Sequence, residues 1–189
     1  MLNSEDIEIM KDKTEGWVTG LKMALLSMRG EDNVDSFISG FSHGRRYIMD
    51  YLIEEVLQHQ SEEIQEFLLK TSVLENMCGA LCNAVSGGSK SNETLTQLEK
   101  DNLFIVPLDA DGEWYRYENL FADLLSHRLN AVYGKEAVNA LQKKASLWYE
   151  SNGFPKIAIK HALAAEDWER AISLILAPVT PLVTYSVYT

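Results

Sequence analysis

Apolar residues recur three and four positions apart along most of this chain, the spacing that gathers them on one face of a helix. From Trp17 the series Leu21, Ala24, Leu25 and Met28 predicts such a face, closed near Gly30. Upstream, Ser4 offers an N-cap, with Glu5 and Asp6 suited to the positive end of a helix dipole, and Gly16 interrupts that first run. Asn33 caps a short segment with Phe37, Ile38 and Phe41, after which Tyr47, Ile48, Tyr51, Leu52, Val56 and Leu57 form a second long face. Ser61, followed by Glu62 and Glu63 and then Ile64, Phe67 and Leu68, marks a fresh helix start, and a domain boundary is placed near residue 60.

The period then changes. A short helix is predicted around residues 81–85, followed by a turn-rich stretch, VSGGSKSN, that a compact fold leaves on its surface. Ser91 is read as the cap of the next helix, which faces Leu95 and Leu98 inward. Residues 104–108 are strand formers, Asp111-Gly112 is a turn signal, and residues 113–117 return with Trp114, Tyr115 and Tyr117, which together predict an antiparallel hairpin. Pro107 cannot donate to a ladder and must take an outward or irregular position. Three short helices, a two-stranded hairpin and another helix is the order of a winged-helix unit.

Beyond Leu129 the pattern is helical again. Val138, Leu141, Ala145, Trp148 and Tyr149 define one helix over residues 137–149, stopped by Asn152-Gly153. Ile157, Ala158, His161 and Ala162 define a second over residues 154–165, and Asp167 starts a third through Trp168, Ala171, Ile172 and Ile175. Small residues at the contacts of antiparallel helices suggest the opening of a helical repeat array, in which a last helix without a following repeat exposes an apolar face. Trp17, Trp148 and Trp168 are read as buried packing residues. Pro178 and Pro181, followed by Leu182, Val183, Tyr185 and Val187, break helix and favour an extended apolar end that offers self-association. The fold class is therefore mainly α: a helical segment over residues 1–60, a winged helix with one β-hairpin over 61–130, antiparallel helices resembling the start of a TPR-like superhelix over 131–176, and an apolar tail over 177–189.

Composition narrows the function. Apolar residues make up 46% and charged residues 24% of the chain, an ordinary globular balance. The net charge is −11, and residues 61–130 carry twelve acidic against five basic side chains, so a nucleic-acid backbone would meet repulsion. A winged helix normally offers its third helix to DNA, but here Glu93, Glu99, Asp109 and Asp111 would lie nearest the phosphates, and no direct nucleic-acid partner is expected. No run reaches the roughly 18 apolar residues of a membrane span, and no basic region precedes an apolar stretch at the amino end. The expectation is a cytoplasmic chain without a membrane partner.

Candidate chemistry is sparse. Gly87-Gly88-Ser89-Lys90 lacks the first glycine and the length of a phosphate loop, and no serine sits in a G-x-S-x-G elbow. Cys78 and Cys82 share a helix face without completing a zinc set, and are read as core residues. His43, His59, His127 and His161 are scattered, and His161 on an apolar face is read as a satisfied interhelical histidine. Glu54-Glu55 and Glu62-Glu63 point in different directions on their helices and form solvated faces. Arg45-Arg46 at a helix start is a weak anion signal. No catalytic, cofactor-binding or metal residue is assigned, and the chain is expected not to be an enzyme.

Four stretches carry a family likeness: TEGWVTGLKMALLSMRG, RRYIMDYLIEEVLQHQSEEIQEFLLKTSVLENMCGALCNAV, LEKDNLFIVPLDADGEWYRYENLFADLLSHRL and LWYESNGFPKIAIKHALAAEDWERAISLI. Together they resemble the middle of the large ATP-dependent transcriptional activators of the LuxR class, the type of the bacterial maltose-regulon activator. The resemblance implies that residues 1–60 correspond to the end of a helical lid, 61–130 to the winged helix and 131–176 to the start of the helical array. It also implies that the phosphate loop and the DNA-reading domain lie outside this chain, with ATP or ADP bound only through an upstream ATPase domain. The family's winged helix holds the ATPase at rest through nucleotide and domain contacts, so the implied partners are neighbouring domains. Where the family has a histidine pair in a YHHLF-like stretch, this chain reads YENLF, with Glu118 and Asn119 in those places. The competing reading is a free-standing interaction adaptor whose winged helix and helical pair form one binding surface.

Overall fold

The computed structural model describes residues 57–101 and 103–177. The helices expected before residue 57, with Trp17, His43, Arg45 and Arg46, and the tail from residue 178 lie outside the described residues. In chain order the elements are α1 (Glu62–Thr71), α2 (Gly79–Ser86), α3 (Ser91–Lys100), β1 (Ile105–Pro107), β2 (Tyr115–Tyr117), α4 (Asn119–Ser151), α5 (Pro155–Ala164) and α6 (Trp168–Leu176).

Local chemistry sets most of the helix ends. Ser61 Oγ accepts the Ile64 amide at 3.4 Å, while Glu62 and Glu63 occupy the first turn of α1 and Lys70 the last, as the helix dipole favours. Gly87, at φ 84°, closes α2 in the left-handed conformation that glycine adopts without strain. The start of α3 differs from expectation. Lys90 is its N-cap, and Ser91 is the first helical residue, buried, with its amide donating to Asn83 Oδ1 of α2 at 3.1 Å. A tertiary contact therefore satisfies the first amide of the helix, and the Ser91 hydroxyl is not its cap.

The hairpin forms as read, with Ile105, Val106 and Pro107 opposite Tyr117, Arg116 and Tyr115. Both backbone groups of Tyr115 are given to Met77, its N–H and C=O each bonded at 2.8 Å. Since those groups point away from β1, Pro107 and Tyr115 face each other at a non-hydrogen-bonded position, where a missing N–H costs nothing. Met77 acts as a one-residue third strand, too short to leave an alternating pattern in the sequence. At the wing tip the Asp109 carboxylate accepts the amides of Glu113 and Trp114, at 2.8 and 3.1 Å, and fixes the turn.

The span α4 is two helical stretches that meet at Gly134, whose φ of 73° and ψ of 170° leave the helical region: the first is the helix expected after the hairpin, and the second contains the one expected over residues 137–149. Its far end is a Schellman motif: Phe154 N–H donates to the Tyr149 carbonyl, Gly153 N–H to that of Glu150, and Gly153 takes φ 81°. Pro155 then occupies the first turn of α5, where its absent N–H is harmless. Asp167 caps α6 by accepting the Arg170 amide at 3.1 Å.

One hydrophobic cluster runs from Leu57 to Leu174 and joins the winged helix to the helical layer. Phe121, Leu68, Met77, Leu81 and Leu125 fill the winged-helix part, while Ala145, Ala158, Ala162 and Ala171 let α4, α5 and α6 approach closely. Between these helices the buried Ser146 Oγ donates to the Ala158 carbonyl at 2.7 Å and accepts from Arg170 Nε at 2.8 Å. Trp148 is half-buried, but Trp168 is exposed, contrary to expectation. The reason is rotational: α6 turns Ala171 and Leu174 inward, which leaves Trp168, Ile172 and Ile175 on its other side.

A buried hydroxyl pair ties α1 to the hairpin. Thr71 Oγ1 gives its single proton to the Phe67 carbonyl at 2.7 Å, so Tyr117 OH is the donor in the 2.7 Å contact with Thr71 Oγ1. Tyr117→Phe removes that donor and leaves Thr71 bonded to Phe67. The expected loss is about 1 kcal/mol in urea denaturation, the ordinary net value of one hydrogen bond.

Candidate interaction surfaces

The third helix and the wing are the parts a winged helix would present to DNA. On α3, Leu95 and Leu98 turn inward, while Asn92, Glu93, Thr96, Gln97 and Lys100 are exposed. Two of the four carboxylates expected to confront phosphates are structural. Glu99 accepts from Tyr115 OH at 3.0 Å, and Asp109 holds the wing turn. Glu93 and Asp111 remain exposed. Gln97 donates to both oxygens of Asp101 at 2.9 Å, which ties a further negative charge to the end of the helix.

Glu118 and Asn119 stand at the start of α4. Glu118 is its N-cap residue, its amide donating to the Phe104 carbonyl at 2.8 Å, and a carboxylate suits the positive end of the helix.

The helical layer is fastened to the winged helix along one side. Tyr149 OH donates to the Asn76 carbonyl at 3.0 Å, Lys144 Nζ to that of Val85 at 3.3 Å, and Lys160 pairs with Glu75. Trp114 from the wing meets Trp148 and Phe154 edge-on, each with ring centroids 6.4 Å apart. Sequence spacing placed Trp114 on a strand; nothing in it showed the partners, which are contributed by residues more than thirty positions away. His161 is an interhelical histidine, as read. Its Nδ1 lies 2.5 Å from Gln142 Oε1, its ring stacks on Tyr149 with centroids 5.2 Å apart, and burial aided by Lys160 lowers its pKa to about 4.

Cys82 lies fully buried in α2, where burial pushes its thiol up and out of the thiolate range. Cys78 is the N-cap residue of the same helix and half-buried, and both cysteines are free. Among the described residues no helix is long and apolar enough to cross a membrane.

Among the described residues, the outer side of α6 is an exposed apolar face. Trp168, Ile172, Ile175 and Leu176 are 61, 56, 59 and 75% exposed, and their spacing puts them on one stripe.

With three helices, a hairpin closed by a one-residue third strand, and a following helix in place, the comparison with known families is direct: the MalT winged helix domain matches residues 53–137. The chain carries a MalT-family winged helix. Its likeness to MalT-like regulators extends past that domain. It is 34% identical over 168 residues, 88% of this chain, to the HTH-type transcriptional regulator MalT of Serratia proteamaculans, and 30% identical over 171 residues, again 88%, to that of Vibrio cholerae. It is also 36% identical over 170 residues, 90% of the chain, to the serine/threonine-protein kinase PknK of Mycobacterium tuberculosis. The chain spans only 15 to 18% of the length of these relatives and corresponds to the middle region of the MalT-like ones. In this MalT-type winged helix the wing is therefore packed on its own helical layer through Trp114.

Proposed function

We propose that the chain is a regulatory, interdomain-docking segment of a MalT-type transcriptional regulator, without catalysis of its own. The observation that carries this reading is the exposed stripe of α6, which continues a helical layer already locked to the winged helix. Such a stripe is larger than scattered surface apolar residues and has the helical spacing of a packing face. The rigid connection through Tyr149, Lys144 and Trp114 would pass a force on the helical layer to the wing without a flexible joint. ATP or ADP enters only through an upstream nucleotide-binding domain, and the acidic α3 and wing serve domain contacts rather than operator DNA. A cytoplasmic setting and a place in the LuxR class belong to the same proposal.

The test titrates the purified chain with an upstream ATPase segment of a MalT-type regulator, with ADP and with ATP. Nucleotide-dependent docking is the expected result, and a chain that docks identically without nucleotide would favour the free-standing adaptor. A parallel titration with labelled duplex DNA at low salt, where attraction is strongest, should show no saturable binding. Saturable binding with a steep salt slope would overturn the intramolecular role of the winged helix. Replacing Trp168, Ile172 and Ile175 together by serine should leave the circular dichroism unchanged and abolish packing by a following helical unit supplied as a longer chain.

A further inference from the structure

The two stretches of α4 are separated by a single residue. Gly134 takes φ 73° and ψ 170°, a conformation open in practice to glycine alone, while the residues on either side of it are helical. That residue turns the chain back on itself. A straight helix of these 33 residues would span roughly 50 Å. Instead Trp148, near the end of α4, meets Trp114, which lies just before its start, with ring centroids 6.4 Å apart. Among the described residues no packed side chain holds this turn. Residues 130–136 are all exposed, and a β-carbon added at Gly134 would meet nothing within 4 Å, so the fold-back depends on the backbone of one glycine.

The contacts of the helical layer sort by this hinge. Lys135 to Glu166, Lys143 to Asp167, Arg170 to Glu150 and Ser146 to the Ala158 carbonyl all join residues beyond Gly134, and they hold the layer together as a unit. Tyr149 to the Asn76 carbonyl, Lys144 to that of Val85, Lys160 to Glu75 and Trp148 to Trp114 all cross to the winged helix. None of the crossing contacts requires both sides to belong to one chain. With Gly134 in the helical region α4 runs straight, the layer leaves its own winged helix, and the crossing contacts are available only on a second copy. A one-residue connection has no slack for intermediate arrangements, and short hinges are the ones that exchange an element between copies.

We propose that residues 135–177 are an exchangeable unit, and that straightening α4 at Gly134 docks this unit on the winged helix of a second copy of the chain. The junction is the same in both states; only the chain that supplies the layer differs. Each copy gives its layer to the other, so the pair closes with two-fold symmetry. Glycine accepts both conformations and keeps the folded-back chain accessible, whereas an L side chain at this position shifts the balance toward the pair.

Gly134→Ala in the full chain removes the glycine conformation and favours a continuous helix, so dimerisation should tighten about a hundredfold, read by light scattering across a dilution series. Three glycines inserted after position 134 of that variant restore a free turn and should return it to the monomer. Exchange itself is read by a cross-link between chains at the exposed Glu75 to Lys160 pair, which crosses the junction. One chain carrying Glu75→Cys and another carrying Lys160→Cys, both with Cys78→Ser and Gly134→Ala, are unfolded together in urea, refolded and oxidised with copper phenanthroline. A disulfide joining the two chains is the expected product. The same two chains with Gly134 retained, refolded together at high concentration, should give that product in smaller yield. A Gly134→Ala chain that folds and stays monomeric would overturn the proposal, as would a dimer in which the mixed pair fails to cross-link, which would place the contact between copies elsewhere. If Gly134→Ala does not fold, the pair that retains Gly134 decides alone, and the absence of its cross-link overturns the proposal.

Discussion

Phe121→Ala is expected to destabilise the chain by about 3–5 kcal/mol, the range for removing a fully buried aromatic side chain and leaving a cavity. Phe121 is 1% exposed, and its ring lies 5.0 Å from Phe104 and 5.9 Å from Tyr117, so it joins α4 to β2 and to the residue just before β1. A loss of that size is a large part of the roughly 5–15 kcal/mol that holds an ordinary domain. Because one cluster runs from Leu57 to Leu174, the loss should appear as an earlier, single urea transition in both tryptophan fluorescence and helical circular dichroism. Two separate transitions would show that the winged helix and helical layer do not share a cooperative core. Ile172→Ala is the control. Its side chain lies on the exposed stripe, and the expected change is within about 0.5 kcal/mol.

What the sequence made legible follows from how far apart the interacting residues are. Helices with their own caps were readable from short windows: Ser61 before α1, Asn152-Gly153 after α4 and Asp167 before α6 all act within four residues of their positions. The hairpin was readable because the turn and both strands fall within fourteen residues. The start of α3 differs by one residue because Lys90 takes the cap position and Asn83, eight positions upstream, accepts the Ser91 amide, a tertiary partner that no short window shows. The two helical stretches that meet at Gly134 were readable as separate helices, since each carries its own apolar face and the glycine between them leaves the helical region. Trp168 was misassigned because a wide apolar helix face has two edges, and periodicity does not say which edge meets the neighbour. Of the candidate surfaces, the exposed face of α6 followed from the repeat reading, whereas the fastening of the helical layer to the winged helix depends on Tyr149 meeting Asn76 across more than seventy residues of chain.

Lowering the pH from 7 to about 4 should cost the chain about 3 kcal/mol through His161 alone. The folded pKa of about 4 lies below the ordinary value of 6.5, so between these values the unfolded chain binds a proton that the folded chain refuses. Stability from this group is therefore complete above pH 6.5, declines as pH falls, and is fully lost below about pH 4. The cause is structural. Gln142 Oε1 accepts from Nδ1–H, one face of the ring is covered by Tyr149, and protonating Nε2 would bury a cation next to Lys160, with Glu75 giving only partial compensation. The depressed carboxyl of Asp167 acts below its ordinary 3.8 and leaves the window from 4 to 6.5 to the histidine. Urea denaturation at intervals from pH 7 to 4.5 should show stability falling in the wild type. His161→Gln, which retains a donor toward Gln142 but does not titrate, should lower stability at pH 7 and flatten the dependence. Equal slopes in the two proteins would mean that His161 protonates as readily in the folded chain as in the unfolded one, and that the stacked, buried ring is not what the pH profile reads.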